Sequence, residues 1–172
     1  MDPQVAPLAA IYELNTDLLL NCLDGLTDAE AQRRLEAGGN SVTFLASHLT
    51  DTRHFLVARL GHPLSNPLAR YLADVKSIEE MRELPSLEEV RTAWQAISAH
   101  LQSILADLSP SELAEANVHR FPLEDSSRLG MIAFLAQHDS YHLGQIAFIR
   151  RQLGKPPMSY ARRPRSATTA VA

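Results

Sequence analysis

Gln137-His138-Asp139-Ser140-Tyr141-His142-Leu143-Gly144-Gln145 is the stretch on which the reading of this chain turns. Its two histidines are four residues apart, so on a helix their rings leave one face about one turn apart. Two imidazoles so placed can hold one metal ion, the geometry that a zincin helix uses for zinc. Outward from the pair, Met131, Phe134, Leu135, Ile146, Ile149 and Leu153 recur at helical spacing and flank the same stripe. The spacing predicts one long helix from about Ser126 to Leu153, stopped by Gly154 with Pro156-Pro157 beyond. The pair is expected to face the interior, where polar groups need partners.

The same period runs through nearly the whole chain, and no strand alternation interrupts it. A first helix is expected over Pro3 to Leu23, with Leu8, Ile11, Tyr12, Leu18, Leu19 and Cys22 inward. Thr27-Asp28-Ala29-Glu30 is a capping-box pattern that starts a short segment ended by Gly38-Gly39. Asn40 or Ser41 caps a second long helix through Leu60, and Gly61-His62-Pro63 stops it. Pro63, Ser65, Asn66 and Pro67 make residues 62 to about 77 a connection with a short turn near Leu68–Leu72. Ser86-Leu87-Glu88-Glu89 opens a third long helix to about Leu108, with Val90, Trp94, Ile97, Leu101, Ile104 and Leu108 as its stripe. Ser109-Pro110-Ser111-Glu112 starts a further short piece, with proline at the first helical position. Four long helices with accessory turns predict an all-α four-helix bundle. Residues 1–158 form its single domain and 159–172 a flexible C-terminal tail.

Composition narrows the function. At 172 residues the chain is long enough for a full core. A net charge of −4 argues against a nucleic-acid partner. Arg162, Arg163 and Arg165 form only a short basic cluster within the tail. No apolar run approaches a membrane span, and Met1-Asp2-Pro3-Gln4 lacks the basic start of a signal peptide. A cytoplasmic protein is the simplest expectation. The single cysteine, Cys22, lies on an apolar stripe and reads as a buried structural thiol.

A metal site needs a third ligand. His62 and His119 fall in predicted loops, and His54 is about 120° off the face of His48. His48 lies in line with Leu45, Thr52 and Leu56, and His100 sits at the edge of the third long helix's stripe. On spacing His48 comes first and His100 second, and spacing leaves that choice open. Asp51 and Asp139 are candidates for orienting imidazoles, and Tyr141 for edging the site.

The run from His138 to Gly154 resembles the last helix of the DinB-like (YfiT-like) superfamily. Gly39 to Arg53, which contains Phe44-Leu45-Ala46-Ser47-His48-Leu49-Thr50-Asp51, is similar to that family's second helix. The resemblance extends over most of residues 8–155. It implies a bundle of up-down-down-up order with a divalent ion on His48, His138 and His142. Gly144 and Gln145 also match, without an assigned role.

Three neutral nitrogen ligands suit zinc or nickel over magnesium or calcium. They leave a coordination position open, which is the catalytic pattern. The resemblance implies a metal-dependent enzyme, a thiol S-transferase using a low-molecular-weight thiol as co-substrate. The alternatives are a metal-dependent hydrolase and a non-catalytic stress-response metal- or ligand-binding protein. A charged thiol would require basic residues at the cleft mouth, for which Arg53, Arg128 and Arg150 are candidates. The expected partners are a small-molecule substrate and a second copy in a homodimer, with no nucleic acid and no membrane.

Overall fold

The computed structural model describes residues 1–36, 38–72, 77–81 and 83–164. Residues 73–76 of the long connection and 165–172 of the tail, Arg165 included, lie outside the described residues. Among the described residues seven α-helices follow in chain order: α1 Ala6–Leu23, α2 Asp28–Gln32, α3 Val42–Arg59, α4 Ala69–Leu72, α5 Leu87–Asp107, α6 Pro110–Ala114 and α7 Arg128–Gln152. A 3-10 turn, Ile78–Glu80, precedes α5. Among the described residues there is no strand, only an isolated bridge between Ala116 and Ser127.

The starts obey the local chemistry. Thr27, Ser86 and Ser109 each cap a helix, and their backbone N–H groups donate in return to the carboxylates of Glu30, Glu89 and Glu112. Ser41 caps α3 and Ser127 caps α7. The last helix ends at Gly154, whose φ of 77° suits a residue without a side chain. α1 begins later than the sequence suggests, because residues 3–5 form a turn.

α1, α3, α5 and α7 form the bundle. α1 packs on α5 and α7, and α3 packs on the same two, so α1 and α3 lie diagonally opposite. The direction of each helix follows from its cross-links. Trp94 donates to the Thr16 carbonyl and Gln102 to that of Ala9, so α5 runs against α1. Tyr12 donates to the Ile132 carbonyl and Asn15 to Ser140, so α7 runs with α1. Arg53 of α3 reaches Asp139, while Leu45 lines a cleft with Ile149, so α3 runs against α7. The order is up-down-down-up. Leu19, Leu23, Leu49, Leu56, Trp94, Ile97, Leu101 and Ile132 fill the centre.

One polar cluster crosses this core. Arg53 is 1% exposed, and its five N–H donors are all used. Its Nε and Nη2 donate to Asp139 Oδ2 at 2.9 and 2.8 Å. Nη1 donates to Thr16 and Ser98, and Nη2 also to the Tyr12 carbonyl. The guanidinium lies 3.6 Å from the centroid of a Trp94 ring. One side chain thereby ties all four long helices together.

The tail segment read as flexible has contacts in its described part. Asn21 donates to the carbonyls of Ser159 and Ala161. Arg162 pairs with Glu13 and Asp17, and Arg163 with Asp24. Arg162 and Arg163 thereby meet acidic residues of α1 and its C-terminal flank, which a reading by composition does not register.

Candidate metal centre

His48 from α3 and His138 and His142 from α7 meet on the seam between those helices. The Nε2 atoms of His48 and His138 are 3.2 Å apart, and those of His138 and His142 are 3.1 Å apart. The ring centroids lie 4.4–5.0 Å from one another in edge-to-face pairs. The sequence places the pair on the core stripe. The structure corrects this: the three histidines are half-buried at the rim, and the buried polar position on α7 belongs to Asp139. A quarter turn separates the two positions, which apolar spacing alone does not resolve.

Three imidazole nitrogens this close have little reason to converge without something between them. At most one of each pair can donate a proton, and the remaining lone pairs repel. A cation with metal–nitrogen bonds of about 2.0–2.1 Å brings tetrahedral ligands to about 3.3 Å from each other. The observed spacings fit that demand. His142 shows the same preparation, because its Nδ1 lies 2.7 Å from Gln145 Oε1. With Gln145 accepting, the proton sits on Nδ1 and the Nε2 lone pair faces the centre. The other end of the amide donates to the Tyr141 hydroxyl at 3.2 Å, which fixes its orientation. His138 Nδ1 is buried without a partner.

Burial favours the neutral form of His138 and His48. His138 falls to about 4, first through desolvation and then through His142 and His48. His48 is lowered for the same leading reason. A base with a depressed folded pKa adds stability above its unfolded value near 6.5, and that stability is lost as pH falls. Metal-free protein should therefore lose melting temperature between pH 6.5 and about 4. The loss should shrink in His138→Ala; an equal loss in both proteins would contradict the assignment. Glu30 and Glu89, lowered to about 2, act in a separate window below their ordinary value of 4.5.

The other candidates go elsewhere. His100 Nε2 lies 3.0 Å from the His62 carbonyl and secures a loop. His54 Nδ1 meets the Thr50 carbonyl, and His119 stacks edge-on against Phe55. Asp51 is exposed and accepts from Asn66, so it orients no imidazole. Asp139 is also corrected, since its carboxylate faces Arg53. Burial raises its pKa, with the guanidinium opposing. The three suggested arginines are engaged elsewhere. Arg53 is in the core, Arg128 pairs with Glu115, and Arg150 donates to the carbonyls of Cys22 and Pro156. Cys22 is buried, and its thiol is pushed up to about 12 by burial.

Gln145, to which spacing assigned no role, and Tyr141, the candidate for edging the site, frame the centre. Gln145 lies three residues after His142, on the same helix face. Tyr141 is exposed and its ring centroid is 5.1 Å from that of His142, so it edges the site. Both line a cleft of about 520 Å³ that also touches Leu35, Leu45, Gly144 and Phe148. No basic residue is among its described lining residues; Glu36 is the one charged side chain. Gly144 is mid-helix, where glycine costs about 1 kcal/mol relative to alanine.

The family profile of the DinB superfamily matches residues 11–146. The chain belongs to the DinB superfamily. Solved structures agree on the fold. A conserved protein from Enterococcus faecalis superposes with a TM-score of 0.72 at 18% identity, covering 90% of this chain and 99% of its own. A DinB-like protein from Bacillus cereus gives 0.68 at 16% identity, over 87% and 93%. YfiT from Bacillus subtilis, described as a probable metal-dependent hydrolase with an unusual four-helix bundle topology, gives 0.66 at 16%, over 91% of each chain. At these identities the likeness to this DinB chain is one of fold. No curated protein matches it in sequence. No helix among the described residues is long and apolar enough to cross a membrane.

Proposed function

We propose that this DinB-superfamily protein is a metal-dependent enzyme, with a divalent ion held by Nε2 of His48, His138 and His142. The observation that carries the reading is the convergence of those atoms at 3.1–3.2 Å, with Gln145 setting the tautomer of His142. Neutral nitrogen donors favour zinc or nickel. Bound with a position open, such an ion supplies Lewis acidity and a means of generating a nucleophile at neutral pH. The chain's own residues do the rest. Burial keeps protons off His48 and His138, Gln145 holds the ring of His142, and the adjoining cleft admits a small molecule.

Hydrolysis of a small uncharged substrate is the favoured reaction, and YfiT's description as a metal-dependent hydrolase supports the class. S-transfer to a low-molecular-weight thiol is the second reading. The cleft lining, which has no cation among its described residues, favours it only for an uncharged thiol.

The test is metal analysis of purified protein, followed by a screen of neutral esters and amides alongside thiol conjugation with several bacterial thiols. Turnover should require zinc or nickel and disappear in His142→Ala while the helical circular dichroism persists. Undiminished turnover by metal-free His138→Ala would overturn metal catalysis.

A further inference from the structure

Gly144 has no reason within this chain to be glycine. It lies inside the uninterrupted helix α7, and its φ is not among the chain's positive values. A Cβ built on it meets nothing within 4 Å. Gly130 in the same helix shows the contrast, because a Cβ there would sit 2.2 Å from the Asp125 carbonyl oxygen. Packing explains Gly130 and leaves Gly144 unexplained, although the latter weakens the helix that carries two of the three histidines.

The surroundings say what the vacant position serves. Gly144 lines the cleft together with Tyr141 and Gln145, both of which contact His142. Tyr141 precedes it by three residues and Phe148 follows by four, so all three share one face of α7. Both aromatics are large and open to solvent, at 57% and 62% exposure. Leu35 faces them from the chain between α2 and α3. The result is a slot with two aromatic walls and a bare backbone floor, next to Gln145, which holds His142.

We propose that Gly144 is a specificity-determining residue: its missing side chain admits the flat apolar end of an uncharged substrate between Tyr141 and Phe148. This deepens the proposed function, since the histidine centre is then the reactive end of the same site. The volume suits a small organic molecule, and the lone carboxylate of Glu36 disfavours an anion.

The experiment uses three neutral probes, benzamide, acetanilide and indole, titrated into the zinc-loaded full chain by ligand-observed NMR. Zinc affinity, melting temperature and sedimentation are followed in parallel. Gly144→Ala should raise the melting temperature by about 2–4 °C and weaken the best probe at least threefold. Gly144→Leu should weaken it at least tenfold, and both variants should bind zinc as the wild type does. Phe148→Ala, which removes one wall and leaves the floor open, should also lose probe binding. Unchanged probe affinity in both glycine variants overturns the proposal, as does failure of all three probes to bind the wild type. A dimer that Gly144→Leu converts to monomer would make this face a subunit contact, and that also overturns it. Loss of zinc binding by the wild type would defeat the metal reading alone, because the probe titration still decides the slot.

Discussion

Arg53→Ala should cost about 3–5 kcal/mol of folding stability, the range for removing one partner of a buried ion pair. The variant leaves Asp139 as a buried carboxylate with no counter-charge, in a site less than 1% exposed. It also removes the cation from the face of Trp94 and strands the oxygens of Thr16 and Ser98. Against a domain stability of about 5–15 kcal/mol, that is a large fraction. Urea unfolding followed by circular dichroism measures it. The double variant Arg53→Met with Asp139→Leu should recover most of the loss, because an apolar pair of similar volume removes both charges together. A loss under about 1 kcal/mol in Arg53→Ala, the range of an exposed ion pair, would contradict the account.

This network also shows where sequence reasoning stops. The four long helices were legible chiefly from their apolar period, with Ser41 and Ser86 marking the starts of α3 and α5, whereas α1 has no side-chain cap. The Thr27, Ser86 and Ser109 boxes are local patterns that need no knowledge of the rest of the chain. The order of the helices was carried by family resemblance, since connections do not reveal which helices lie side by side. Arg53 illustrates the difference. By composition an arginine belongs at the surface, and five hydrogen bonds to residues 12, 16, 98 and 139 reverse that preference. The partners come from three other helices, so no window of sequence contains them.

The candidate centre divides in the same way. His138 and His142 are a local signal, because four residues on a helix is a fixed geometry. His48 was separable from His100 by resemblance and not by spacing. Their packing separates them clearly, with His48 on the seam and His100 against a loop carbonyl. Gln145 was within reach of a local argument, three residues from His142, yet glutamine is common on helix surfaces. The slot at Gly144 was not legible at all, because whether a glycine is needed for packing depends on what stands opposite it.

Removing one histidine should abolish tight metal binding, the second large effect. With two nitrogens left, the ion loses a third of its protein ligands, and the remaining pair cannot define an open tetrahedral site. The consequence for stability follows by linkage: an ion at one hundred times its Kd adds about 2.7 kcal/mol to the wild type. A chelator should therefore lower the melting temperature of the wild type and barely move His48→Ala, His138→Ala or His142→Ala. His100→Ala should respond as the wild type does, because its ring secures the His62 carbonyl away from the centre.

The most direct measurement is a calorimetric titration of zinc into metal-free wild type and the four single histidine variants at pH 7.5. One equivalent should bind tightly to the wild type and to His100→Ala, with no comparable binding by the other three. Tight stoichiometric binding retained by His48→Ala, or lost only in His100→Ala, would contradict a centre built from His48, His138 and His142.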